Sequence, residues 1–106
     1  MFWLALWKVR LGLVGRFRAF GRSMEPVIPS GSRLTIEPVD PERVELGDIV
    51  MVRVGDETML HLVKAIDREG RRVEISGTRG PANGWTPFER VYGRCVRIEL
   101  PNGTEN

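Results

Sequence analysis

Asp48-Ile49-Val50-Met51-Val52-Arg53-Val54 is a run of mostly β-branched and apolar residues that ends at Gly55-Asp56. Such residues favour strands, and a glycine-containing pair directly after them is typical of a tight hairpin turn. The chain continues as Thr58-Met59-Leu60-His61-Leu62-Val63-Lys64-Ala65-Ile66, a second β-rich run that turns at residues 67–70. The two runs predict an antiparallel hairpin.

Further strands are predicted on both sides of this hairpin. They are short, are separated by turns, and cover residues 16–20, 33–37, 71–76 and 91–100. Residues 77–87, which are rich in glycine, proline and asparagine, are assigned to a loop. The pattern predicts an all-β protein, and 106 residues allow one small domain. We expect a folded or barrel-like antiparallel sheet over residues 16–100 and a frayed tail at 101–106.

An N-terminal arm, residues 1–15, differs from the strands in composition. A helix over residues 2–14 would carry Trp3, Trp7, Leu11 and Val14 along one stripe of a wide apolar sector, into which Arg10 intrudes. The apolar run is far shorter than the roughly 20 residues that a spanning helix needs, and it lacks the layout of a cleavable signal. Tryptophan with flanking basic residues is typical of a helix in a membrane interface. Packing on its own domain or on a partner protein is the alternative.

Charge is distributed unevenly along the chain. Residues 1–24 carry five basic side chains and no acidic one, whereas the rest carries 11 basic and 14 acidic ones. This asymmetry favours contact of residues 1–18 with an anionic membrane surface. A nucleic acid partner is not expected, because the body is net acidic. We expect a peripheral membrane or cytoplasmic protein.

The counts of cysteine and histidine exclude several kinds of site. Cys95 is the single cysteine, so no intrachain disulfide forms, and it is expected to fill the core. One cysteine and one histidine do not make a structural zinc site. No metal and no organic cofactor are expected.

Ser23 and His61 are the candidates for chemistry. Ser23 lies between Gly21 and Pro26, which predicts a defined turn, and a serine with a histidine is the minimum set for nucleophilic catalysis. Strand alternation places Met59, His61 and Val63 on one face among apolar residues, where a neutral imidazole suits a general base. A core histidine bonded to a backbone carbonyl is the alternative. Lys64 would point to the opposite face and is interpreted as a surface residue.

Several short motifs occur in a recognisable order. They are Gly21-Arg22-Ser23-Met24-Glu25-Pro26, Pro29-Ser30-Gly31-Ser32, Gly47-Asp48-Ile49-Val50, His61-Leu62-Val63 and Gly93-Arg94-Cys95-Val96. In this order and spacing the chain resembles the superfamily of serine peptidases that contains signal peptidases and self-cleaving repressors. His61-Leu62-Val63 is similar to the branch of signal peptidases whose base is a histidine.

The resemblance implies a role for each matched position. Ser23 would be the nucleophile, its backbone N–H an oxyanion donor, and His61 the base. The substrate would be an extended polypeptide cut after small residues, and Met24, Met59 and Val63 are candidates to line its pocket. Relatives with a histidine base also use an acidic residue further on.

This chain departs from its relatives in that further segment. Residues 77–85 contain no carboxylate, so Asn83 is the candidate to orient the imidazole, and a plain turn at Asn83-Gly84 is the alternative. The missing acid leaves a second hypothesis open, a catalytically inactive relative that binds peptides or docks on a partner. A self-processing domain is a third, disfavoured because the segment before Ser23 is too short to fold back.

Overall fold

The computed structural model describes residues 2–21, 24–77 and 84–101, and it contains one helix and seven strands in these ranges. The elements are α1 (Phe2–Arg10), β1 (Gly15–Ala19), β2 (Ser32–Pro38), β3 (Ile49–Val54), β4 (Glu57–Asp67), β5 (Arg72–Ser76), β6 (Gly84–Pro87) and β7 (Val91–Glu99), with 3-10 turns at Pro41–Arg43 and Phe88–Arg90. Residues 102–106 of the predicted tail at 101–106 lie outside the described residues.

All seven strands form one antiparallel sheet in the order β1-β2-β7-β3-β4-β5-β6. The hairpin predicted from the sequence is β3–β4, in which Val54 pairs with Glu57 across the turn. The sheet curls, because β6 lies against β3 as well as beside β5. The all-β, barrel-like antiparallel architecture is therefore confirmed.

One strand was not expected. Gly84–Pro87 was assigned to a loop, but it forms β6 and pairs with β5, with Val73 opposite Thr86. Thr86 is buried and its Oγ1 donates a hydrogen bond to the carbonyl oxygen of Arg53 at 2.8 Å. A four-residue segment containing glycine and proline has weak strand propensity, so its pairing depends on these tertiary contacts.

The helix is shorter than the 2–14 expected from its pattern, and Gly12 ends it. Gly12 has φ of +86°, and its N–H donates to Val9 O while the N–H of Leu13 donates to Lys8 O. This pair of bonds is a Schellman cap, which needs a left-handed residue and therefore favours glycine.

The helix lies directly on the sheet. Ala5, Leu6 and Val9 are buried against β1, β2 and β7. The approach is closest at Gly15, where an added Cβ would meet the carbonyl oxygen of Ala5 at 2.7 Å. A glycine at the start of β1 therefore sets how near the helix can pack.

Buried apolar side chains form two clusters. The first cluster lies between α1 and the β1–β2 end of the sheet and consists of Ala5, Leu6, Val9, Phe17, Met24, Ile28, Leu34, Ile36, Met51 and Ile98. The second cluster fills the curl around β3, β4 and β5 and consists of Val44, Val50, Val52, Val63, Val73, Ile75, Phe88 and Val91. β3 contributes to both, since alternate residues face opposite sides of the sheet.

Candidate functional site

A cleft with a volume of 390 Å³ opens beside the first cluster. Its described walls come from α1, from β1 and the residues after it, from the loop before β2, and from β4. They are Phe2, Phe17, Arg18, Ala19, Phe20, Gly21, Met24, Ile28, Met59, Leu60 and His61. Apolar side chains dominate this lining, as is usual for a pocket that binds an organic ligand.

The cleft includes both described neighbours of the Arg22-Ser23 segment. Gly21 precedes it and Met24 follows it, and both residues line the cleft together with His61. Ser23 itself, like Asn83, lies outside the described residues. The predicted nucleophile and the predicted third member of the site therefore stay predictions.

Hydrogen bonds hold the chain on each side of this segment. Before it, the N–H of Gly21 donates to Ser30 Oγ at 3.2 Å. After it, the N–H of Ile28 donates to the carbonyl oxygen of Met24 at 2.7 Å, and both of these side chains are buried in the first cluster. The flanks of the serine motif are thus fixed to the body of the domain.

His61 lies on β4 with only 8% of its surface exposed. Its Nδ1 is hydrogen-bonded to the carbonyl oxygen of Leu60. Since a carbonyl can only accept, Nδ1 is the donor in this hydrogen bond, and in the neutral ring the lone pair is then on Nε2. This tautomer is the one in which a histidine can accept a proton at Nε2.

The Gly47-Asp48 motif holds the strand that carries His61. The N–H of Gly47 donates to Val63 O, and the N–H of Val63 donates to Asp48 O, each at 2.9 Å. The Asp48 carboxylate accepts from the N–H of Glu45 and pairs with Arg94 on β7 at 3.4 Å. These contacts give Asp48 a structural role, because they fix β4 at Val63, two residues after His61.

Two of the three residues named as pocket candidates line the cleft, and one of these two, Met59, also packs against the second cluster. Met24 and Met59 line the cleft. Val63 is buried in the second cluster and is not among the cleft residues. A bulge between Val63 and Ala65 interrupts the pairing of β4 with β5, and Lys64 within it is exposed.

Cys95 does not supply a rival nucleophile. Burial raises the pKa of its thiol, which disfavours the reactive thiolate. Its Sγ contacts the carbonyl oxygen of Arg97 at 3.5 Å. Cys95 is partly buried and packs against the first cluster rather than lying within it.

Two strand edges face the cleft. β1 is the end of the sheet, and it pairs with β2 on one side only. β4 pairs with β5 only from Leu62 onward, so within the described ranges no strand pairs with Met59 or Leu60 on the side away from β3. Unpaired backbone groups on such edges can bind an extended chain.

The sequence analysis did not name Leu60 or the aromatic residues Phe2, Phe17 and Phe20 of this cleft as site residues. The ring of Phe2 stacks edge-on against Phe17, with the centroids 5.1 Å apart. The aromatic residues at 17 and 20 were a signal, because they immediately precede the serine motif. The part played by Phe2 depends on how α1 packs and has no local signature.

Comparison with known proteins identifies one family. A sequence profile of the Peptidase S24-like family matches residues 4–77, well over half of the chain. The matched segment contains Ser23 and His61 and ends before Asn83. No curated protein shows a significant match to the chain.

Proposed function

The chain belongs to the Peptidase S24-like family, and from this premise we propose that it is a serine endopeptidase with Ser23 as nucleophile and His61 as general base. The observation that carries the proposal is the cleft, which brings His61 together with Gly21 and Met24. Ser23 is bonded to Met24, and consecutive Cα atoms are about 3.8 Å apart, so the presence of Met24 in the lining of the cleft supports the proposal.

In the proposed reaction, Nε2 of His61 accepts the proton of the Ser23 hydroxyl as its oxygen attacks a peptide carbonyl. The backbone N–H of Ser23 would donate to the oxyanion that forms, and such a donor contributes about 3 kcal/mol in other enzymes. Protonated His61 then gives its proton to the leaving amine. Water, deprotonated by His61, hydrolyses the acyl-enzyme.

The group that orients His61 distinguishes this proposal from a standard triad. The hydrogen bond from Nδ1 to Leu60 O supports a backbone carbonyl in the position where triads have a carboxylate. Asn83 remains the candidate side chain for the same task. A neutral carbonyl stabilises the imidazolium less than a carboxylate does, so we expect a slow enzyme of the histidine signal-peptidase type.

The two open edges support an extended polypeptide as substrate. A peptide lying in the cleft can pair with backbone groups of β1 and β4, while its apolar side chains contact Phe17, Met24 and Met59. By analogy with the superfamily, cleavage would follow a small residue such as alanine or glycine.

One observation favours a second candidate function. The described partner of His61 is a backbone carbonyl, as in many histidines that serve only packing. A catalytically inactive module that binds extended peptides would use the same cleft and the same edges. A measurement of peptide turnover, rather than of peptide binding, distinguishes the peptidase from the binding module.

The decisive experiment measures cleavage of a precursor that carries an Ala-x-Ala site. Ser23→Ala and His61→Ala should each lower the rate about a thousandfold or more, because a nucleophile and its base act as one unit. Ser76→Ala, which alters a buried serine on β5, is the matched control and should retain activity. Asn83→Ala should slow cleavage without weakening peptide binding if the amide orients the imidazole.

Full activity of the Ser23→Ala variant, with its fold verified by circular dichroism, would disprove the mechanism. A parent protein that retains labelled peptides but never cuts them would establish the binding module instead.

A further inference from the structure

The outer surface of α1 is apolar although it faces away from the protein. Trp3, Leu4 and Trp7 are 65%, 62% and 61% exposed, and Leu11 at the end of the helix is 72% exposed. The inner surface of the same helix buries Ala5, Leu6 and Val9. A helix with apolar residues on both its inner and its outer face normally has both faces covered.

Basic side chains flank this outer face. At 3.6 residues per turn, Trp3, Leu4, Trp7 and Leu11 fall on one side, with Lys8 at one margin and Arg10 at the other. The guanidinium of Arg10 lies over the rings of Trp7 and Tyr92, at 5.8 and 5.0 Å from their centroids. Both cations remain exposed, so they can contact anions at the level of the tryptophans.

We propose that the outer face of α1 docks this protein on an anionic lipid bilayer, with the helix lying in the plane of the interface. Tryptophan and leucine would enter the boundary between headgroups and acyl chains, while Lys8 and Arg10 contact lipid phosphates. In the described part of the chain no helix is long and apolar enough to cross a bilayer.

The charge of α1 favours a bilayer over a second copy of this chain as the partner of its outer face. No acidic residue occurs before Glu25. Two copies joined through α1 would bring Lys8 and Arg10 of each close to the same residues of the other, and like charges at an interface oppose association. An anionic surface, by contrast, complements the helix and its margins.

The docking surface adjoins the cleft without forming part of it. Phe2 lines the cleft, and its ring stacks edge-on against exposed Trp3 at 5.6 Å between centroids. A bilayer covering Trp3 would therefore lie beside the cleft mouth. Docking on a bilayer does not require peptide cleavage, so the docking proposal and the peptidase proposal can be tested independently.

The test is sedimentation with vesicles of phosphatidylglycerol and phosphatidylcholine, compared with vesicles of phosphatidylcholine alone. The parent should bind the anionic vesicles more strongly, and added salt should release it. The double variant Trp3→Ser/Trp7→Ser should partition about tenfold more weakly or worse, since two large apolar side chains no longer leave water. Lys8→Glu should reduce binding to anionic vesicles alone.

Leu46→Ser is the matched control, because Leu46 is 66% exposed but lies outside α1. It should sediment like the parent. Equal partitioning of the parent and the double tryptophan variant would overturn the proposal. So would a concentration-dependent dimer that the double variant abolishes while neither protein binds vesicles.

Discussion

The two hydrophobic clusters differ in how completely they are closed. In the second cluster Val44, Val50 and Phe88 are fully buried, and the sheet curls around them. The first cluster is bordered by the 390 Å³ cleft and by a helix whose outer face is exposed. The closed cluster and the region suited to bind other molecules thus lie in different halves of the sheet, which share β3 and β7.

Polar contacts reinforce this difference. Around the second cluster, Arg68 donates to the carbonyl oxygens of Glu42 and Val44 at 2.8 and 3.0 Å, and Arg71 pairs with Glu42 at 2.6 Å. Beside the first cluster, the serine motif is held through its flanks by backbone donors. We expect local opening to be easier on the side of the cleft, where the first cluster borders an open cavity and the outer face of α1 is exposed.

The largest expected effect is a loss of stability in the closed half, which is the half of the sheet around the second cluster; the open half is the one around the first cluster and the cleft. Phe88→Ala should lower the free energy of unfolding by about 3–5 kcal/mol, since it leaves a cavity in a fully packed cluster. Phe20→Ala is the matched change on the open half, where the ring is 77% exposed, and should cost less than about 0.5 kcal/mol. Urea unfolding of both variants measures the contrast, and equal losses would refute it.

Phe2→Ala should have an intermediate effect that sharpens the role of the open half. It removes the edge-on contact with Phe17 and a wall of the cleft, and should cost about 1–2 kcal/mol of stability. Phe2 lines the cleft but takes no part in the proposed proton transfer. The variant should therefore raise KM for a peptide substrate and leave kcat nearly unchanged. A fall in kcat with unaltered KM would contradict this assignment.

The smallest effect concerns an exposed turn of the closed half. The backbone N–H of Gly70 and then the side chain of Arg72 lower the pKa of Asp67 below its usual value of 3.8. Because the carboxylate is favoured in the folded state, its contribution to stability is complete above the usual value and disappears as pH falls through the lowered pKa. Thermal unfolding should show Asp67→Asn slightly less stable than the parent near neutral pH and equal to it in strong acid. A gap that widens on acidification would contradict the sign.

Six of the seven strands follow local rules and were predictable. β3 and β4 are rich in β-branched and apolar residues, and Gly55-Asp56 joins them as a short hairpin turn. The seventh, β6, has no such pattern. It is held in the sheet through Thr86, which pairs with Val73 and donates a hydrogen bond to the carbonyl of Arg53. The end of α1 was also predictable from the sequence, since glycine is typical of the position that caps a helix C-terminus, as Gly12 does here.

The order of residue types along the chain was sufficient for the all-β class, for the basic N-terminal arm and for Ser23 and His61 as candidates, because periodicity and short motifs are properties of neighbours in the sequence. Tertiary packing alone decided that Phe2 and Leu60 share a cleft with His61, that Val63 lies in the other cluster, and that Trp3 and Trp7 face outward. Those outcomes depend on how the helix and distant strands meet, through contacts such as the one between Gly15 and Ala5, and no local pattern encodes such distances.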